Sequence, residues 1–126
     1  MKRVIGIGGI FFKSQNPKAL QAWYVKHLGF PETKDGYILF VSNPSIKEHA
    51  AWSAFPEDTN YYAPSEKPFM FNYRVENLVA LLDVLREEGV QIVGDMQIEP
   101  YGKFGWIMDP EGNKIELWES VAEPFD

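Results

Sequence analysis

The sequence predicts an α+β fold built from two copies of one strand–helix–strands module. Each half begins with a β-rich segment, continues with an amphipathic helix that opens at an asparagine, and returns to β-rich segments. Asn16–Leu20 (NPKAL) aligns with Asn77–Leu81 (NLVAL), and Gly36–Leu39 (GYIL) aligns with Gly105–Met108 (GWIM), in the same order along the chain. A polar segment rich in proline, at about 57–67, separates the halves. We therefore predict an internal duplication.

Module one spans about residues 4–56. Its first strand is predicted over Val4–Lys13, where three glycines leave room for another backbone or a ligand to approach. Asn16 is a good helix N-cap, and Pro17 is favoured at the first helical position. Gly29 then supplies the C-terminal stop. Two more strands of this module are predicted over 36–41 and 49–55.

Module two spans about residues 68–119. Alternating apolar and polar residues predict a strand over 69–75. Asn77 caps a helix with a stripe of leucines, which ends at Gly89. A short strand is predicted at 90–93. A hairpin follows, with strands over 104–108 and 114–119 around the turn Asp109–Asn113 (DPEGN).

Composition limits the classes of function. The 126 residues fit one domain with a hydrophobic core. The formal net charge of −6 argues against nucleic-acid and anionic membrane partners, because both need clustered positive charge. The absence of cysteine excludes disulfides, thiolate metal sites and cysteine nucleophiles. The basic, apolar start (MKRVIGIGGIFF) is interrupted by glycine and lacks a cleavage site before Lys13, so we interpret it as a strand and expect a cytoplasmic protein.

Two segments resemble the glyoxalase/bleomycin-resistance/extradiol-dioxygenase (vicinal oxygen chelate) superfamily: NPKALQAWYVKHLGF in the first half and YGKFGWIMDPEGNKIELWE in the second. The resemblance implies two tandem βαβββ modules that form an incomplete curved barrel around a pocket. It also implies a homodimer. The superfamily contains lyases, isomerases, dioxygenases, thiol transferases and non-catalytic drug-binding proteins, so the fold alone does not select among them.

The resemblance also locates four positions that carry metal ligands in metal-dependent relatives. Here they fall at about Gly9, at 52–54, near Met70 and at Glu116. Only Glu116 is a suitable ligand, whereas catalytic metal sites need about three protein ligands. We therefore expect no metal cofactor. If a divalent metal does bind, Glu116 would hold it with help from a residue outside the family pattern, such as His49.

Strand alternation places Glu116 on the concave face, opposite Ile115 and Leu117. On the strand that opens module two, Asn72 and Arg74 share that inner face. Arg74 could form a buried ion pair with Glu116, or its planar guanidinium could hold an anionic substrate. Asn72 could orient a carbonyl or hydroxyl group.

Aromatic residues supply candidate pocket walls, and each could equally belong to the core. The candidates are Trp52, Tyr101 and Trp106. His27 lies just before the end of the first helix, where a cation is favourable.

Two functions remain open from the sequence. The first is a glyoxalase-like enzyme acting on an unassigned small molecule, a lyase or isomerase with Glu116 as acid, base or lone metal ligand. The second is a non-catalytic protein that binds or sequesters a small molecule, as bleomycin-resistance proteins do.

Overall fold

The computed structural model describes residues 1, 3, 7–41, 45 and 50–121. Within that part of the chain, two helices and four strands are formed. They are α1 (Pro17–Leu28), β1 (Phe71–Arg74), α2 (Leu78–Glu87), β2 (Gln97–Glu99), β3 (Gly102–Met108) and β4 (Lys114–Ser120).

Both helices begin where the sequence predicts. The Asn16 side chain accepts a hydrogen bond from the Ala19 amide at 3.2 Å, and Asn77 accepts one from Ala80 at 3.1 Å. These bonds satisfy amides that the first helical turn leaves unpaired. Helix α1 ends at Gly29, whose φ of 63° lies in the left-handed region that glycine tolerates best. No described helix has the length and apolar character needed to cross a bilayer.

The four strands form one open sheet in the order β1-β4-β3-β2. Strand β4 pairs parallel with β1 and antiparallel with β3. One face of this sheet packs against the helices. The largest fully buried side chains of its core are aliphatic, namely Leu78, Leu85, Ile107, Ile115 and Leu117. Burial of this kind contributes roughly 1.5–3 kcal/mol per side chain.

Gly105 in β3 allows α2 to approach the sheet closely. A Cβ atom at this position would lie 3.0 Å from the Leu82 Cδ1 atom. A side chain here would therefore require the tip of Leu82 to shift by a few tenths of an ångström, so glycine suits the close contact between β3 and α2.

The turn between β3 and β4 also holds α1. Asp109 is buried, and its carboxylate accepts hydrogen bonds from the Asn113 amide at 2.9 Å and from the Tyr24 hydroxyl of α1 at 2.7 Å. Glu111 accepts hydrogen bonds from the Ser14 hydroxyl and from the backbone amides of residues 15 and 16. The turn therefore joins the first helix to the hairpin.

The first half differs from its prediction. The described residues of the segments 7–13, 36–41 and 50–55 form no strand, and a single bridge between Glu32 and Ile38 is the pairing present there. Residues 90–93 likewise give one bridge, Ile92 to Ile107, in place of a strand. The physical reason is that a β-rich segment becomes a strand only when a neighbour satisfies its backbone. The remaining parts of the predicted first-half strands, including His49, lie outside the described residues.

The fold class is α+β, with two helices and an open sheet, as the sequence predicts. Among the described residues, the strands of the sheet all come from module two, and module one adds α1. The division into two tandem modules remains a prediction.

Candidate functional site

The candidate site lies on the face of the sheet opposite the helices. Alternation along β4 points Ile115 and Leu117 toward the helices and Glu116 toward this inner face. Register then determines its neighbours: Asn72 of β1 and Trp106 of β3 both pair with Glu116. The Glu116 residue is only 8% exposed, so its carboxylate requires hydrogen-bond partners.

Three neutral donors supply those partners. The Asn72 amide donates to Glu116 Oε1 at 2.7 Å. Trp106 Nε1 and the Tyr61 hydroxyl both donate to Oε2, at 2.8 and 2.5 Å. Both carboxylate oxygens are therefore bound by groups of the protein itself.

Tyr61 reaches the sheet from the covering segment, which we define as residues 55–62. Three aromatic rings hold this segment together, with centroid distances of 5.6 Å between Phe55 and Tyr61 and 5.3 Å between Phe55 and Tyr62. Tyr61 also meets Trp106 edge to face at 6.1 Å. The region that the sequence presents as a linker thus covers part of the inner face.

Lys114 is the second charged residue of the site. It is buried on the same face of β4, two residues before Glu116, and its Nζ atom donates to the Tyr61 carbonyl at 2.7 Å. The ammonium lies over the rings of Tyr61 and Trp106, at 5.3 and 5.7 Å from their centroids. Burial lowers the pKa of Lys114, and the charge of Glu116 opposes that shift.

The pKa of Tyr61 is shifted in the opposite direction. Desolvation raises the pKa of its phenol, and the hydrogen bond to Glu116 raises it further. Tyr61 is therefore a neutral donor at physiological pH, and it stabilises the negative charge of Glu116 without being ionised itself.

The predicted ion pair between Arg74 and Glu116 does not form, and neutral donors bind the Glu116 carboxylate instead. Arg74 lies on the same face of β1, exposed, in register with Trp118. It is not among the three donors to Glu116. The carboxylate is stabilised by neutral N–H and O–H groups because Trp106 and Tyr61 approach it from the neighbouring strand and the covering segment.

The predicted aromatic walls occupy three different environments. Trp106 is buried against Glu116, whereas Trp52 is 83% exposed and contributes no wall. Tyr101 belongs to a neighbouring group: its ring meets Phe104 at 5.6 Å, and its carbonyl accepts a hydrogen bond from Trp118 Nε1 at 3.0 Å. The structure thus brings together Asn72, Trp106 and Glu116 and leaves Trp52 apart from them.

Sequence reasoning missed Tyr61 and Lys114. A signal for Tyr61 was present, because the pair Tyr61-Tyr62 is an aromatic doublet in an otherwise polar segment. Aromatic residues in a polar loop commonly pack onto a surface. Lys114 shares the strand parity of Glu116, but nothing in the sequence distinguishes a buried lysine from an exposed one.

The described residues do not fit the metal site of metal-dependent relatives. The groups around Glu116 are an amide, a phenol and an indole N–H, and the indole cannot act as a ligand. No group of three His, Cys, Asp or Glu side chains with metal-binding spacing occurs among the described residues.

A shallow groove of about 240 Å³ lies elsewhere, beside the ends of the two helices. It is lined by residues that include Trp23, His27 and Met108. His27, in the last turn of α1, contacts Glu88 through Nδ1 at 2.8 Å. This pair links the two helix ends and takes no part in the hydrogen bonds around Glu116. We place the candidate site at Glu116, where the residues predicted from strand parity meet.

Comparison with known proteins supports the fold assignment. A family model described as "Glyoxalase/Bleomycin resistance protein/Dioxygenase superfamily" matches residues 10–117. No curated protein matches the chain.

Two solved structures illustrate the similarity of fold. A glyoxylase/bleomycin resistance protein/dioxygenase domain from Frankia sp. EAN1pec has a TM-score of 0.57 and 16% identity, and the match covers 94% of this chain and 100% of that one. TnmS3, an antibiotic binding protein from Streptomyces sp. CB03234, has a TM-score of 0.51 and 18% identity, with 85% and 88% covered.

Proposed function

Because the chain belongs to the glyoxalase/bleomycin resistance protein/dioxygenase superfamily, we propose that it is a metal-independent, non-catalytic protein that binds a small planar aromatic molecule on its inner sheet face. One observation carries this proposal. Both oxygens of Glu116 are held by neutral donors of the protein, Tyr61, Asn72 and Trp106. A carboxylate held in this way orients its neighbours and is poorly placed to serve as a metal ligand.

The neighbours that Glu116 orients are aromatic. Its hydrogen bonds to Tyr61 and Trp106 fix two rings that meet at 88° beside one carboxylate. Further along the same face, the rings of Phe104 and Trp118 stack at 5.8 Å with only 7° between their planes. Rigid aromatic surfaces of this kind favour planar ligands, because ring stacking adds to the hydrophobic gain.

The polar groups of the site suggest what such a ligand carries. Glu116 Oε1 accepts one described hydrogen bond, from Asn72, and a carboxylate oxygen has capacity for a second. Asn72 is itself exposed, which leaves that side of the cluster open to solvent. A ligand hydroxyl or amine could donate to Oε1 while its ring packs on the aromatic side chains.

The family context is compatible with binding. TnmS3 has the same fold and is an antibiotic binding protein. We further propose that the protein forms a homodimer, as the resemblance implies, and that it acts in the cytoplasm.

A second candidate function is a metal-independent lyase or isomerase. The observation that favours it is the 2.5 Å hydrogen bond between the Tyr61 hydroxyl and the Glu116 carboxylate. This bond joins a phenol, which can donate a proton, to a carboxylate, which can act as a base. In this case Glu116 would move a proton on the substrate, and Tyr61 would hold the carboxylate in position.

Isothermal calorimetry with naphthylmethanol and its fully hydrogenated counterpart tests the binding proposal. We expect the aromatic alcohol to bind and the saturated one to bind at least about tenfold more weakly, a difference of about 1.4 kcal/mol. Trp106→Phe should weaken binding of the aromatic alcohol, because it removes a donor to Glu116. Trp23→Phe, in the helix layer, is the matched control and should leave the affinity unchanged.

Adding a chelator separates the metal-independent proposal from a metal site. Binding that persists in excess chelator supports the proposal, and binding that disappears with chelator and returns with zinc or nickel contradicts it. Equal affinity for the aromatic and saturated alcohols would also contradict it. Turnover of a small molecule that is lost in Glu116→Gln while binding persists would favour the enzyme.

A further inference from the structure

We propose that Lys114 captures aromatic aldehydes or ketones as a reversible imine, with Glu116 as the proton-transfer group beside it. This inference rests on the proposed function and names the chemical class of ligand for the same site.

The first support is the position of the amine. Lysine is almost never fully buried unless it is paired, yet Lys114 is only 8% exposed. Its described hydrogen-bond partner is the uncharged carbonyl of Tyr61, at 2.7 Å. No carboxylate of the described residues lies within ion-pair distance of this ammonium, although a carboxylate normally stabilises the charged form of a buried lysine.

The second support is the surface around the amine. Nζ lies 5.3 Å from the Tyr61 ring centroid and 5.7 Å from that of Trp106. An aromatic carbonyl compound packed on these rings would place its carbonyl carbon near the nitrogen. Apolar surroundings also favour the neutral amine, and the pKa of Lys114 is lowered by burial in agreement with that geometry.

The third support is the group that moves protons. Glu116 lies two residues further along β4 on the same face, so its carboxylate and the amine point to the same side of the sheet. Its carboxylate is already oriented by Tyr61, Asn72 and Trp106. Desolvation makes a lysine amine more nucleophilic, and a positioned carboxylate can transfer protons during the reaction.

The step balances without another reactant. The lone pair of neutral Nζ forms the C–N bond while the carbonyl π bond breaks, which gives a carbinolamine. Both protons of the amine then reach the carbonyl oxygen, relayed by the Glu116 carboxylate through one water molecule because the carboxylate lies beyond ion-pair distance of Nζ, and the oxygen leaves as water. The product is a neutral imine, and addition of water reverses the step.

Reductive trapping tests the proposal on the whole protein. The protein is incubated with naphthaldehyde and cyanoborohydride near neutral pH, and the modified lysines are located by peptide mapping. We expect Lys114 to be labelled faster than Lys103, because burial lowers the pKa of Lys114 and so increases its fraction of neutral amine. Lys103 is the internal control because it is more exposed than Lys114 and lies 3.7 Å from the Glu119 carboxylate.

Two further measurements distinguish failure of the imine proposal from failure of the proposed binding function. Naphthylmethanol cannot form an imine, so its binding reports the proposed function alone, and it should protect Lys114 from labelling. Lys114→Arg should lose the adduct, because a guanidinium does not form an imine under these conditions, and naphthylmethanol binding is measured on the unaltered protein. If this variant does not fold, the unaltered protein still tests the proposal, because naphthylmethanol should protect Lys114 from labelling.

Naphthylmethanol that binds while Lys114 is labelled no faster than Lys103 would overturn the imine proposal and leave the proposed function in place. Absence of both binding and labelling would overturn both proposals. Labelling at Lys114 that naphthylmethanol does not prevent would place the reaction outside the aromatic site and would also overturn the inference.

Discussion

At the scale of single residues, Glu116 is a buried carboxylate that is stabilised without a cation in contact with it. Hydrogen bonds to a charged acceptor are stronger than neutral ones, at about 1.5–3 kcal/mol each, and this offsets the cost of removing the carboxylate from water. The same bonds hold Tyr61 and Trp106 in place. Any change at Glu116 therefore affects the charge and the two rings together.

We predict that Glu116→Leu destabilises the fold much more than Glu116→Gln. Glutamine keeps one acceptor for Trp106 and Tyr61, and the Asn72 amide can turn its carbonyl toward the new NH₂ group, so we expect a loss of about 1 kcal/mol. Leucine leaves the buried Trp106 N–H unpaired, and we expect a loss of about 3 kcal/mol. Urea denaturation measures both. A leucine variant as stable as the parent would contradict the described hydrogen bonds.

The buried Tyr24 and the partly buried Tyr73 predict how stability changes in alkaline solution. Desolvation raises the pKa of Tyr73 to about 12, and burial with the bond to Asp109 raises the pKa of Tyr24 further. The unfolded chain ionises its phenols near pH 10, so the folded state binds more protons above that pH. These groups stabilise the fold fully below about pH 10, and that contribution is lost as pH rises toward 12 and beyond.

The expected slope is about −1.4 kcal/mol per pH unit for each such tyrosine above pH 10. Replacing both Tyr24 and Tyr73 by phenylalanine should flatten the slope, whereas replacing the exposed Tyr37 should not. Denaturant midpoints measured between about pH 9 and pH 11 provide the test. Equal slopes in the double variant and the parent would show that these phenols do not stay protonated.

At the scale of elements, the turn Asp109–Asn113 fixes the position of α1 through hydrogen bonds. Asp109 is buried and binds Tyr24 within the helix, while Glu111 binds the residues that precede it. The hydrogen bond from the Gln15 backbone is the main cause of a lowered pKa at Glu111. A depressed carboxyl pKa means that its stabilisation is present above the unfolded value near 4.3 and is lost as pH falls through the folded pKa.

We therefore predict that Glu111→Ala lowers the melting temperature at neutral pH and that the difference from the parent shrinks below about pH 4. Glu87→Ala, at the exposed end of α2, is the matched control and should have little effect. Calorimetry across that pH range measures the difference. An effect of Glu111→Ala that is constant with pH would mean that the carboxylate charge is not what holds the start of α1.

The sequence predicted those elements whose signals are local. Both helices follow from their asparagine caps and glycine stops, and the last hairpin follows from its turn. The strands of the first half were not predictable, because pairing depends on distant neighbours rather than on the segment itself. At the site, parity placed Asn72 and Glu116 on one face, but it could not show that Tyr61 would cross from the covering segment to bind the carboxylate.

At the scale of the whole molecule, the first half exposes large apolar side chains. Phe11 is 95% exposed and Val41 is 88% exposed, and further large apolar residues in the same half are also exposed. Contiguous apolar patches on a protein surface mark interaction sites, so these side chains are where we expect a dimer interface. This exposure agrees with the homodimer that we propose from the resemblance.

We predict that sedimentation equilibrium detects a dimer at about 10⁻⁵ M, a concentration at which a specific interface is largely formed. Replacing Phe11 and Trp52 together by serine should shift the equilibrium toward monomer. The exposed Val79 and Val84 of α2, changed to serine, are the control. A parent protein that sediments as a monomer at this concentration would contradict the prediction.

The parallel pairing of β1 with β4 has a consequence for the order of folding. Strands β3 and β4 are joined by a short turn and can associate as soon as both have been synthesised, whereas Asn72 meets Glu116 across 44 residues of chain. Closing that long loop costs entropy before any contact is gained. The hairpin is therefore expected to form early and β1 to dock late, so the cluster around Glu116 is completed only after β4 has left the ribosome.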